Sequence, residues 1–109
     1  MICRIWRGWT TPENSEAYDH YLKAELFPQV ERELSSRGFR GFHLLRRAGT
    51  AETEFVTMLW FDSLAAVQSF AGADYEVPVI SQKAHSLLSR FAERAEHFEL
   101  SSSDCQGFR

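Results

Sequence analysis

A chain of 109 residues with 44% hydrophobic and 14% aromatic side chains holds enough apolar mass for one packed core and leaves no room for two. A formal charge of −3 with scattered Lys and Arg provides no basic stripe for phosphates and no polybasic anchor, which predicts no nucleic-acid partner and no membrane partner. No apolar run approaches the roughly 20 residues that cross a bilayer, and no apolar leader follows the N-terminus, so the expected location is cytoplasmic. Cys3, in an apolar segment, and Cys105, in a Ser-rich tail, form no CxxC pair and read as reduced thiols.

Met1 to Trp9 (MICRIWRGW) reads as a strand ending at Thr10-Thr11-Pro12. Thr11, Pro12, Glu13 and Glu16 then make a helix start: a hydroxyl cap, a first-turn proline, and carboxylates at the positive end. That helix is expected to reach about Ser35, with Ala17, Tyr18, Tyr21, Leu22, Leu26, Val30 and Leu34 on one apolar stripe and a kink or break at Pro28. Gly38 and Gly41 bracket the turn into a second strand, Phe42 to Arg47, and a third follows at Glu54 to Phe61. Asp62 or Ser63 caps a second helix closed by Gly72, and Pro78 opens a further helix from Val79 to about Arg90. Glu96 to Leu100 is the last strand, and Ser101 to Arg109 reads as a flexible tail, leaving residues 1–100 as one domain. The order is the βαββαβ of an α+β, ferredoxin-like fold with a four-stranded antiparallel sheet.

Side chains alternate across a strand, and the third strand puts Phe55, Thr57, Leu59 and Phe61 on one face and Val56, Met58 and Trp60 on the other. Neither face is polar. Two helices cover one face only, so the second face calls for a partner, and the simplest is an identical sheet in a homodimeric α/β barrel.

Several segments carry a resemblance. MICRIWRGWT, the Gly-Phe-Arg-Gly-Phe-x-Leu-Leu-Arg-Arg stretch from Gly38 to Arg47, Met58 to Ser63, Phe70 to Asp74 and the closing Glu-His-Phe-Glu-Leu resemble, in order, the antibiotic biosynthesis monooxygenase domain family. The resemblance implies ferredoxin-like subunits paired as a dimer, each with its own cleft between sheet and helices. It also implies oxygenation of a small aromatic or phenolic compound with no cofactor. Heme-degrading relatives use an Asn in the first strand, a Trp in the second helix and a His after it. This chain has no Asn in the strand and offers Phe70 and Ile80 at the other positions, which disfavours that branch.

Within such a cleft His97 is the candidate base, able to take a phenolic proton near neutral pH, although a hydrogen-bonded place on the sheet surface fits it too. Arg4 alternates with Ile2 and Trp6, so it points at an apolar face and needs either a ligand anion or, as the plainer reading, one of the fifteen acids. Trp60 offers a wall for stacking a flat ring, with plain core as its competing role, and Trp6, Tyr21, Phe70 and Tyr75 complete the candidate ligand contacts. The four histidines show no metal-ligand spacing, and GxGxxG, P-loop and GxSxG patterns are missing, so no metal, nucleotide or serine triad is expected. The alternative function is a non-catalytic homodimeric module that binds a small ligand or serves a stress response.

Overall fold

β1 (Ile2–Thr10) places Ile2, Arg4, Trp6, Gly8 and Thr10 on one face and Cys3, Ile5, Arg7 and Trp9 on the other, and takes the centre of an antiparallel sheet in the computed structural model, which describes residues 1–107. It pairs with β3 (Thr53–Phe61) from Ile2–Phe61 to Thr10–Thr53, and β3 pairs with β2 (Phe39–Ala48). Its other edge receives two short strands: β4 (Leu88–Phe91) beside Gly8 to Thr10, and β5 (Glu96–Glu99) beside Ile2 to Ile5. The order β2-β3-β1, with β4 and β5 sharing the far edge, is the α+β ferredoxin-like arrangement. It differs from the expected sheet in that the fourth strand comes in two pieces.

That difference has a local cause. Ser81 caps α4 (Gln82–Leu87) by accepting a hydrogen bond from the Ala84 N–H at 3.1 Å, and at Leu88 the backbone turns extended. The helix expected from Val79 to Arg90 is therefore short at both ends. Pairing with the vacant edge of β1 satisfies the backbone of Leu88 to Phe91, and this outweighs the local helical pattern.

The first helix also departs from expectation. Thr11 caps a 3-10 turn over Pro12–Asn14, and α1 (Ser15–Tyr21) follows. No break occurs at Pro28. Instead the chain widens into a π-type turn over Leu22–Leu26, in which the Phe27 N–H reaches back to the Leu22 carbonyl, and continues as α2 (Phe27–Leu34). Pro28 thus falls in the first turn of α2, where its missing N–H costs least. The extra residue turns Phe27 into the core, where its ring stacks on Phe42 at 4.0 Å between centroids. Ala17, placed on the stripe by spacing, is exposed instead.

These helices and α3 (Leu64–Ala71), capped by Ser63, cover one sheet face. Tyr18, Leu22, Phe27, Val30 and Val67 meet Phe39, Phe55, Leu59 and Phe61 there in one core. Each such side chain contributes roughly 1.5 to 3 kcal/mol by leaving water. Asp19 is buried at the margin of this core. Burial pushes its carboxyl upward, but Lys23 at 2.7 Å and Arg46 at 3.1 Å outweigh that and hold it below the usual carboxylate range.

The other sheet face carries Ile5, Val56, Met58 and Trp60, half-buried, with Leu45 and Phe98 more exposed. Residues 101–107 have no helix or strand, Ser102 to Cys105 run beside this face, and residues 108 and 109 of the expected tail lie outside the described residues. Among the described residues no helix is long and apolar enough to cross a membrane.

The turn before β2 sets a strict local demand. Gly38 has φ +102°, and a Cβ there would stand 2.7 Å from the Ala66 Cβ of α3. Gly38→Ala therefore combines left-handed strain with overpacking, for an expected loss of roughly 2 to 4 kcal/mol. Urea unfolding of the two proteins measures it; a loss below about 1 kcal/mol at unchanged slope would contradict the packing of α3 on this turn.

Candidate functional site

Even-numbered residues of β1 face the helices, so Arg4 and Trp6 enter the layer between sheet and helices together with Thr57 and Leu59, their neighbours on β3. A cavity of about 260 Å³ lies there. Arg4, Trp6, Tyr18, Tyr21, Thr57 and Phe70 are among its lining, and the exposed Gln29 and Val79 stand at its mouth. Of the candidate residues, Arg4, Trp6, Tyr21 and Phe70 thus come together in one space.

Arg4 is 3% exposed. Nη1 donates to the Tyr75 carbonyl and contacts His97 Nε2 at 3.1 Å, and Nη2 donates to the Val77 carbonyl at 3.1 Å. The guanidinium also lies 5.4 Å from the centre of the Phe70 ring. Among the described residues it has no ion pair with a carboxylate, which corrects the plainer sequence reading that paired it with one of the acids. Burial pulls its pKa down to about 10, so it remains charged at neutral pH.

His97 stands behind Arg4, and the cavity lining does not include it. An arginine nitrogen can only donate, so Nε2 accepts and the imidazole is neutral, with its proton on Nδ1. Burial first, and then the Arg4 charge, push the His97 pKa below its ordinary value, while Glu76 opposes the shift. The geometry therefore gives His97 the task of holding Arg4 and offers the cavity no unoccupied imidazole nitrogen at Nε2. Tyr75 also stands behind the lining: its ring meets His97 edge-on at 5.0 Å, and its carbonyl takes the Arg4 hydrogen bond.

Trp60 is on the opposite sheet face, where its Nε1 donates to His43 Nδ1 at 3.0 Å. It does not wall this cleft, because its place in β3 is odd with respect to Thr57 and Leu59. A second hollow, of about 590 Å³, lies on that face between Met58, Trp60, Leu45 and the residues from Ser102 to Cys105.

Two features of the cavity have no counterpart in the sequence reading. Tyr21 Oη and Ser81 Oγ are 2.6 Å apart, a hydroxyl pair joining α1 to the cap of α4. Thr57, buried at the centre of β3, stands between Phe55 and Leu59 on the strand face that also carries Thr53, and a polar residue between two apolar ones was its available signal. Tyr18 lines the same space; burial, and then Tyr21, raise its phenol above the ordinary range, so it stays protonated. Among the described residues no group of three or more His, Cys, Asp or Glu side chains comes together as a ligand set.

The His97 shift carries a sign. Its native pKa is below the ordinary 6.5, so as pH falls through 6.5 the unfolded chain takes up a proton that native His97 refuses, and stability drops. Denaturant unfolding between pH 7.5 and 5.5 is expected to show a steeper loss for the wild type than for His97→Gln. Parallel curves across that window would contradict a neutral imidazole held against Arg4.

No family model and no curated protein matches the chain. Among solved structures, its fold is similar to that of a Bacillus cereus protein provisionally named an antibiotic biosynthesis monooxygenase, with 12% identity and a TM-score of 0.64. The alignment covers 95% of this chain and 96% of that one. At the level of the fold, then, this likeness bears out the resemblance that the sequence carries to the antibiotic biosynthesis monooxygenase domain family.

Proposed function

We propose that the protein binds a small aromatic or phenolic compound in the cavity between sheet and helices and oxygenates it without a cofactor, working as a homodimer. The observation that carries this reading is an aromatic cavity with one buried cation in its wall: Trp6, Tyr18, Tyr21 and Phe70 supply ring contacts, and Arg4 favours an ionised ligand. At about 260 Å³ the space is just under the usual lower limit of roughly 300 Å³ for ligand pockets, which suits one or two rings. An electron-rich anion of this kind can react with dioxygen directly. Oxidation of a ring CH₂ to C=O uses one O₂ and releases one water, so the ligand supplies all the electrons and no external reductant enters. Arg4 is then the anion partner and His97 a positioning residue acting through it.

Oxygen-electrode measurements with phenol and 1-naphthol test this. The expected result is oxygen uptake equal to substrate loss, falling at least about tenfold in Phe70→Ala, which removes a ring wall and leaves the Arg4 hydrogen bonds in place. One observation favours the second reading, a module that binds without turnover: the only histidine beside Arg4 has its Nε2 occupied. Quenching of tryptophan fluorescence by these compounds with no oxygen uptake would establish that reading and remove the first.

The dimer rests on the face carrying Leu45, Met58, Trp60 and Phe98. A second copy of the same sheet would remove those side chains from water, and the face is bounded at one end by charge, with Arg7, Arg47, Glu54 and Glu96 in ion pairs. Light scattering is expected to give twice the 12.6 kDa of one chain, and Met58→Asp is expected to give the single-chain mass. A wild-type mass of one chain would overturn the dimer.

A further inference from the structure

Arg4 has more donors than the protein uses. A guanidinium carries five N–H groups. Nη1 engages two acceptors, the Tyr75 carbonyl and His97, and Nη2 engages one, the Val77 carbonyl. Among the described residues, the Nε–H and the second Nη2–H have no protein acceptor. Nε and Nη2 form the edge of the guanidinium fork that grips both oxygens of a carboxylate at once. The groups around Arg4 supply only the negative ends of dipoles, so a nearly fully buried positive charge is left without a neutralising anion.

We propose that the ligand of this cavity is an aromatic carboxylate, a one- or two-ring acid whose carboxylate sits on the Nε and Nη2 edge of Arg4 with its ring among Trp6, Tyr21 and Phe70. This rests on the reading above that the cavity takes an aromatic compound, and it names the group that the cation recognises. Three features select the class. Among the described residues Arg4 is the only cationic one in the cavity lining, which matches a monoanion and leaves a phosphate short of charge. A phenol keeps its proton near neutral pH, with a reference pKa of about 10, whereas an aromatic acid has lost it, as carboxyl groups with pKa near 4 do. A single phenolate oxygen cannot span two adjacent donors, and a carboxylate can. The Tyr21 and Ser81 hydroxyls, 2.6 Å apart, remain to meet a polar substituent elsewhere on the ring.

Competition on the wild-type protein with benzoate, benzamide, phenol and phenylphosphonate, read by calorimetry, tests the class without any substitution. Benzoate is expected to bind at least about tenfold more tightly than the other three, the effect of a bidentate charge-assisted pair. Arg4→Gln is expected to abolish that preference, with circular dichroism showing separately that the variant is folded. Arg4→Lys, with its charge kept and its fork lost, is expected to keep only part of it. If benzamide or phenol matches benzoate, or phenylphosphonate surpasses it, the carboxylate assignment falls and the aromatic cavity stands. If none of the four binds, the cavity reading itself fails and takes this inference with it.

Discussion

The pairing of β1 on both of its edges is the constraint from which the rest follows. β3 runs along one side for the whole length of the strand, and β5 and β4 divide the other side between them. A strand held on both sides cannot slip or rotate, because a shift of one residue would exchange its two faces. Its even residues are therefore committed to the helical layer and its odd residues to the opposite face. Arg4 is even. It is carried into the core by register and not by any preference of its own, and the surroundings have to accommodate a charge that the sheet places there.

The accommodation comes from outside the sheet. The segment between α3 and α4 crosses above β1, and its carbonyls at Tyr75 and Val77 turn toward the guanidinium. That segment is tied in turn to the connection between β4 and β5. Ala95 N–H donates to the Glu76 carbonyl at 2.8 Å, and Arg94 pairs with Glu76 at 2.8 Å and with Asp74 at 3.1 Å. The exposed ion pairs contribute little one by one, but the buried main-chain bonds to Arg4 are costly to lose. The irregular stretch that closes the cavity is thereby fixed to the same arginine that gives the cavity its charge. Splitting the edge strand at 92–95 makes this possible, because a continuous strand would have no connector there to receive Glu76.

Much of this was legible in the sequence where one rule acted alone. The β order, the two-faced third strand, the Thr11 and Ser63 caps and the place of Arg4 on an apolar face all follow from periodicity and capping. The misreadings arose where two rules competed. Leu87, Leu88 and Phe91 have helical spacing, but the vacant edge of β1 claimed the last part of that segment. Pro28 signals a kink or a break, and the helix answers with a π turn just before it, which absorbs the missing N–H and brings in Phe27 without ending the helix. Trp60 looks like a cleft wall by residue type, and parity alone puts it on the other face. Ser81 was invisible as a site residue because its capping role is purely local, and only the fold brings Tyr21 to it across 60 positions of sequence.

The two faces of the sheet also separate two kinds of chemistry that a small domain must keep apart. On the outer face, apolar side chains lie beside a charged end in which Arg7 and Arg47 are both matched to Glu54, so charge there is balanced and exposed. On the inner face a single cation is unbalanced and buried. Low dielectric makes a Coulomb interaction several times stronger than the same pair makes in water. On the proposed reading, an anion entering the cavity feels Arg4 strongly and the balanced outer charges weakly, so selectivity would come from the inner face even though the outer hollow is the larger one. On the proposed reading, size alone would point to the other side of the sheet. The deciding quantity is the uncompensated charge per unit of enclosed space, and it is set by which residues of β1 are even.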